Sequence, residues 1–433
     1  RGSVPNTHGG TNLHWAAGGR IVFLSYMDGW PHLYSIAETG GTPLLLTPGS
    51  YMAEYIRLSP DGKTLVFAGN TGPSPDDLHR RHVVAVPVDR AAPRVLTPGA
   101  GLEWTPIILG DGATVAYIAA TAQRPPLPTV APLGGGSART LAADRVPADF
   151  PSARLVTPKA VTYTAEDGLV VQAQLFDAAP VARGGAATRR PAIVYVHGGP
   201  PRQMLLGWHY SDYYTNAYAM NQYLASKGYV VLSVNYRLGI GYGYEFHQPP
   251  AAGARGAAEY LDVKAAALYL RTLPQVDSTK IGIYGGSYGG YLTALALGRN
   301  SDLFAAGVDI HGVHDMSASA SGAGAALQAA MGGGSRFEPT DRDKALEVAW
   351  QSSPVSAVKG WRSPVLLIHG DDDRNVRFSQ TVDLARRLAM QGVDYEEMVI
   401  VDDTHHWMRH ANQRRVNAAI AAYFDRKLKG AVQ

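Results

Sequence analysis

Ser287 stands in Ile281-Gly-Ile-Tyr-Gly-Gly-Ser-Tyr-Gly-Gly-Tyr291, where a short apolar run becomes Gly-Gly-Ser-Tyr-Gly and then an alanine- and leucine-rich stretch from Tyr288 to Gly298. These residue types at this spacing describe a serine raised on a sharp strand-to-helix turn, with Gly285 and Gly289 placed where any side chain would collide with the crossing elements. Such a turn exposes the hydroxyl and aims the Tyr288 amide, at a helix N-terminus, toward a developing oxyanion. With 48 glycines in the chain a Gly-x-Ser-x-Gly string is weak by itself, and strand before and helix after are what strengthen it. A serine hydroxyl is a poor nucleophile until a base takes its proton, so a histidine and an orienting acid are required. Both follow, in the order serine, acid, histidine. Asp371-Asp-Asp-Arg-Asn-Val376 comes after an apolar run ending at His369-Gly370, and Asp402-Asp-Thr-His-His-Trp407 comes after the next one. Two of the three aspartates read as a solvated turn, and the paired histidines leave the base open between His405 and His406. A third loop, Val196-His-Gly-Gly-Pro200, is placed to complete an oxyanion hole with a backbone amide.

Positioning these loops requires elements that all end on one side. Ala192–Val196, Tyr229–Val234, Ile281–Tyr284, Ala306–Ile310, Val365–His369 and Glu397–Val401 are short apolar runs of the doubly buried strand kind. Helical spacing lies between them, near 210–227, 257–273, 288–298, 379–391 and 412–428. Strand-helix alternation predicts a doubly wound, mostly parallel α/β sheet with its functional loops at the strand C-terminal ends. An antiparallel hairpin, 161–164 and 170–176 around Glu166-Asp-Gly168, opens that region. Residues 317–334, rich in alanine, serine and glycine, read as a mobile cap or loop.

The region up to Leu141 has another texture. Leu46-Thr-Pro-Gly49 recurs as Leu96-Thr-Pro-Gly99, and Ser59-Pro-Asp-Gly-Lys-Thr-Leu-Val-Phe67 is echoed by Gly110-Asp-Gly-Ala-Thr-Val-Ala-Tyr117, with a weaker copy near Gly18. A period of about 44 to 50 residues suits four-stranded propeller blades with Asp-Gly and Pro-Gly turns. About three blades fit, too few to close a ring, so the chain reads as the C-terminal part of a longer protein with an N-terminal propeller fragment missing. The expected organisation is partial blades over 1–141, a proline- and alanine-rich linker over 142–160 and an α/β domain over 161–433. The 433 residues carry a net charge of +3 with scattered arginine pairs and no long apolar run, which argues against nucleic-acid and membrane partners. The absence of cysteine removes disulfides, thiolate zinc sites and a thiol nucleophile, and suits a periplasmic or secreted location. No metal cluster or cofactor motif is apparent.

Taken together, His197-Gly-Gly-Pro200, Asn235-Tyr-Arg-Leu-Gly-Ile-Gly-Tyr-Gly243, Gly285-Gly-Ser-Tyr-Gly-Gly290, Ser353-Pro354, His369-Gly-Asp-Asp-Asp-Arg-Asn-Val376 and Asp402-Asp-Thr-His405 resemble the catalytic domain of the prolyl oligopeptidase family of serine peptidases. These are α/β-hydrolases with an N-terminal propeller, and the repeats before Leu141 are similar to the TolB-like blades found in the family. The resemblance implies Ser287 as nucleophile, Asp373 as acid, His405 rather than His406 as base, and the Gly199 and Tyr288 amides as oxyanion donors. Some relatives donate from a tyrosine side chain instead, a route this chain has only if Tyr195 turns inward. Val376 and Tyr288 match pocket-lining positions, with Val313 and Met316 nearby, a wall suited to small or apolar side chains. Arg237 and Arg255 are candidates for a substrate carbonyl or carboxylate, with a structural ion pair as the alternative. The paired glutamates that clamp a dipeptide amine are not apparent, Glu38, Glu54 and Glu103 being isolated.

The expected function is hydrolysis of short peptides through a Ser-Asp-His triad and an acyl-enzyme, in the manner of an oligopeptidase or acylaminoacyl-type exopeptidase without cofactor. A carboxylesterase or amidase with the same triad is the alternative, and an inactive interaction scaffold is the third reading. Homo-oligomers are compatible with all three.

Overall fold

A computed structural model describes residues 12–178, 189–320 and 342–430, so most of the stretch expected to form a cap (317–334) lies outside the described residues. The chain divides into two compact units, one of residues 1–158, 205–218 and 240–248, the other of 159–204, 219–239 and 249–433.

The first unit holds three four-stranded antiparallel meanders, the three blades expected from the repeats. Their strands are β1–β4 (Leu13–Ala16, Arg20–Ser25, His32–Ala37, Leu44–Leu45), β5–β8 (Ala53–Leu58, Thr64–Gly69, His82–Pro87, Arg94–Val95) and β9–β12 (Leu102–Ile108, Thr114–Ala120, Leu127–Pro132, Arg139–Thr140). The repeated turn residues do the same work in each copy. Gly62 (φ 70°) and Gly112 (φ 66°) supply the left-handed position between first and second strands. In the Leu-Thr-Pro-Gly repeats, the Leu46 and Leu96 amides donate to the Leu33 and Val83 carbonyls at 2.8 and 2.7 Å. The threonine hydroxyls return the pairing, Thr47 Oγ1 accepting from Leu33 N and Thr97 Oγ1 from Val83 N, both at 2.9 Å. Period-2 alternation turns Val22, Leu24, Leu33, Leu65, Phe67, Val84 and Val86 into one core between the first two blades.

Segments 205–218 and 240–248, which the sequence places in the α/β half, group with the blades. Leu206 N donates to His79 O (3.1 Å), Tyr244 N to Gly29 O (2.8 Å) and Asn70 Nδ2 to Gly241 O (2.9 Å). Short-range patterning carries no trace of such pairings.

The second unit is built on an eight-stranded sheet with order β13-β14-β16-β15-β17-β18-β19-β20. The strands are Lys159–Thr164, Val170–Phe176, Arg190–Val196, Val230–Asn235, Val276–Gly286, Ala306–Ile310, Val365–Gly370 and Tyr395–Ile400. β13, β14 and β16 run antiparallel to their neighbours in that order, and from β16 through β15 to β20 every pairing is parallel. Covered on both faces, β16, β18 and β19 are buried at every residue, which is why they read as mainly apolar runs. β20 is the exception. As an edge strand it is half exposed, and its mixed composition reflects that. Among the described residues no helix is long and apolar enough to cross a membrane.

Candidate functional site

β17 delivers Ser287 at φ 59°, ψ −119°, immediately before the helix Tyr288–Arg299. A non-glycine residue held in that region stores about 1–3 kcal/mol, so the surroundings must over-determine it. They do. A Cβ at Gly285 or Gly289 would lie 2.3 or 2.2 Å from the Val196 carbonyl oxygen, so crossing backbones fill the space around the turn. Ser287 N donates to Ile310 O at 2.9 Å, fastening the elbow to the end of β18.

The loop after β15 closes on the same turn. A Cβ on Gly198 would meet Gly286 O at 2.5 Å and Ser287 Cβ at 3.1 Å, so His197-Gly198-Gly199 runs against the serine. Gly199 takes φ 46°, a left-handed conformation suited to glycine. His197 is buried, which pushes it down to about 3, and its ring stacks on Tyr236 at 4.3 Å. Tyr195, the possible tyrosine donor, is buried in β15 with its ring on Tyr284 at 4.9 Å.

After β19 the three aspartates separate by environment: Asp371 and Asp372 are exposed and Asp373 is buried. Asp373 Oδ1 accepts from the amides of Asn375 (2.8 Å) and Val376 (2.9 Å). Its Oδ2 faces His405 Nδ1 at 2.5 Å and His369 Nε2 at 3.2 Å. Burial would raise the carboxyl, but the hydrogen bonds from His369 and His405 and the backbone outweigh it and hold Asp373 far below the usual carboxylate range. His405 is buried whereas His406 is exposed. The loop that presents them is stapled by Asp403, whose carboxylate accepts from Thr404 N, Met408 N and Asn412 Nδ2 at 2.9, 2.8 and 2.7 Å.

One residue the sequence reading missed belongs to this cluster. His311 follows β18 with φ 41°, fully buried, its ring 4.2 Å from His405 and 5.3 Å from Trp407. Burial and the neighbouring His405 and His369 keep it neutral, well below the ordinary histidine value. The available signal was its place at a parallel-strand C-terminus, the rule that located the other loops. Polar atoms of His311, Asp373 and His405 all lie within 4.8 Å of one another, a spacing compatible with a metal ion. The two imidazoles are tilted by 38° with centroids 4.2 Å apart, and Asp373 Oδ2 is already engaged by His405 Nδ1 and His369 Nε2, so the carboxylate is committed within the cluster.

Val376, Val313 and Met316 are buried in the same apolar cluster as Tyr288. Arg237 does not join them. Its guanidinium is committed to Asp262 (Nη2 to Oδ1, 2.6 Å) and Asp167 (Nη2 to Oδ1, 2.9 Å), an ion-pair arrangement that accounts for the residue without a ligand.

Comparison with known proteins gives the geometry its context. Residues 215–431 match the model of the prolyl oligopeptidase family. The uncharacterized peptidase YuxL of Bacillus subtilis is 29% identical over 284 residues, which cover 63% of this chain and 39% of that protein. Dipeptidyl aminopeptidase BIII of Pseudoxanthomonas mexicana is 28% identical over 253 residues, 57% of this chain and 34% of that one. A puromycin-hydrolyzing peptidase of Mycobacterium tuberculosis superimposes with a TM-score of 0.80 at 22% identity, covering 97% of this chain and 63% of its own, which speaks to the fold. The matched stretch thus spans well under half the length of these two curated relatives.

Proposed function

Because the chain belongs to the prolyl oligopeptidase family, we propose that it is a serine peptidase acting on short peptides, with Ser287 as nucleophile, His405 as general base and Asp373 as the orienting acid. The observation that carries this reading is the buried Asp373 Oδ2 to His405 Nδ1 contact of 2.5 Å. It is supported by a serine at positive φ whose amide donates to Ile310 O, the residue before His311, whose ring lies 4.2 Å from His405. Ser287 Oγ attacks the scissile carbonyl carbon while His405 Nε2 takes its proton. Asp373 accepts from Nδ1–H, fixing the tautomer and stabilising the imidazolium without itself taking the proton. The amides of Tyr288 and Gly199 donate to the oxyanion. Collapse expels the amine, which leaves with the proton from His405, and water resolves the acyl-enzyme by the same steps. Val376, Val313, Met316 and Tyr288, which share one buried apolar cluster, are proposed to wall the pocket and would favour a small or apolar residue at the cleaved bond.

The test compares turnover of p-nitroanilides bearing free, acetylated and dipeptidyl N-termini with that of a short p-nitrophenyl ester, using Ser287→Ala as blank. Amide cleavage that depends on the N-terminal group and falls by about 10⁴-fold or more in the variant is expected. Ester cleavage alone would replace the peptidase reading with a carboxylesterase.

A further inference from the structure

A second buried carboxyl lies behind the elbow. Glu259, fully buried just before the helix Tyr260–Thr272, accepts the Tyr288 phenol at 2.6 Å (Oε1) and the Gly253 amide at 3.2 Å (Oε1) and 3.0 Å (Oε2). Gly253 has φ 58°, and a Cβ there would come within 3.3 Å of the same phenol oxygen, so the pocket for that oxygen is closely shaped. Tyr288 is the residue whose backbone amide follows the nucleophile. Its ring stacks on Tyr236 at 6.2 Å, and Tyr236 stacks in turn on His197 at 4.3 Å and donates its hydroxyl to His197 O at 2.8 Å. The column His197, Tyr236, Tyr288 therefore joins the two backbone segments that carry the proposed oxyanion donors, and Glu259 anchors the Tyr288 end.

From this geometry we infer that Glu259 is a positioning residue for the oxyanion hole. Resting on the triad reading above, it acts through the Tyr288 phenol to fix the angle of the Tyr288 amide. An oxyanion hole works by being preorganised, and a donor displaced by a fraction of an ångström loses much of its effect in the transition state while the ground-state complex barely changes. Releasing the phenol should thus lower kcat with little change in KM. Oε1 accepts the Tyr288 phenol, so glutamine can keep that hydrogen bond through its own oxygen, at the cost of setting its NH2 group near the Gly253 amide whose hydrogen bond Oε2 now accepts.

The experiment is steady-state kinetics on the 433-residue chain carrying Glu259→Ala, Glu259→Gln, Tyr288→Phe or the Glu259→Ala/Tyr288→Phe pair, with thermal melts and fluorophosphonate labelling of each. Glu259→Ala and Tyr288→Phe are expected to lose about 10- to 100-fold in kcat with KM within about threefold, Glu259→Gln to stay within about threefold of the parent, and the double variant to be no worse than the worse single one. If Glu259→Ala fails to fold, Tyr288→Phe, which removes one oxygen, carries the test. A melting loss with unchanged kcat, or a rise in KM alone, overturns the positioning role. If the unmodified protein neither labels at Ser287 nor depends on it for turnover, the triad reading itself falls and this inference falls with it, a result distinct from a labelled protein whose Glu259→Ala variant is unimpaired.

Discussion

Buried imidazoles make acid a specific threat to this molecule. His197 is pushed down to about 3 by burial, and His311 sits well below its ordinary value through burial and its histidine neighbours. Groups that fold neutral must gain a proton on unfolding below about pH 6.5, so the unfolded state binds more protons and stability falls as pH drops below that value. Asp373 works in a lower window: its depressed carboxyl stabilises the fold above the usual carboxylate value of about 3.9, and that contribution is lost as pH falls toward its own pKa. In His82 and His314 burial is outweighed by carboxylate partners that raise the ring, so these two act in the opposite direction and the test is a difference. In urea titrations from about pH 7 to about pH 5 the midpoint of the parent should lose ground relative to that of His311→Gln. Parallel slopes for the parent and the variant would remove His311 from the account. At this scale the sequence was partly legible. Asp373 and His405 stand in motifs dense enough to name them, and the exposure of Asp371, Asp372 and His406 follows once the strand ends are located. His311 and Glu259 were not legible, because a lone histidine or glutamate in an alanine- and glycine-rich stretch carries no local mark of what it will touch.

Among the elements, the threonines of the Leu-Thr-Pro-Gly repeats stand in identical roles with unequal exposure. Thr47 is fully buried and Thr97 half-buried. Thr47→Val strands the buried Leu33 amide and should cost about 1–3 kcal/mol, whereas water can replace the lost acceptor after Thr97→Val, which should cost under about 1 kcal/mol. Urea denaturation of the two variants checks the ranking, and equal losses would contradict it. The blades were readable because the same turn glycine recurs at Gly62 and Gly112 and the hydroxyl cap repeats at Thr47 and Thr97. Strands β16 to β19 were readable because burial on both faces leaves each with a dominantly apolar stretch, polar residues such as Asn235, Asp309 and His369 falling toward the C-terminal ends. The helix Arg342–Gln351 was not, since its sequence, Arg-Asp-Lys-Ala-Leu-Glu-Val-Ala-Trp-Gln, is polar around much of its circumference.

For the whole molecule, the division into units does not follow the chain. Leu205, Leu206, Trp208 and Phe246 are buried and belong to the blade unit, although they are threaded between strands of the other. A fragment of residues 159–433 would present these side chains without their blades and should bind an apolar dye and aggregate, whereas the full chain should not. A monodisperse, dye-silent fragment on gel filtration would show the interleaving to be dispensable. Composition and periodicity mark where texture changes, near 142–160, but cannot report that a later loop packs with an earlier core.

The interleaving also sets a timetable during synthesis. The last stretch of the blade unit to leave the ribosome ends at Gln248, while the eight-stranded sheet waits for β20, which ends at Ile400. At usual elongation rates the roughly 150 residues between them take about 8 to 30 s. The blade segments therefore have time to settle before the three residues of the proposed triad, Ser287, Asp373 and His405, have all been translated.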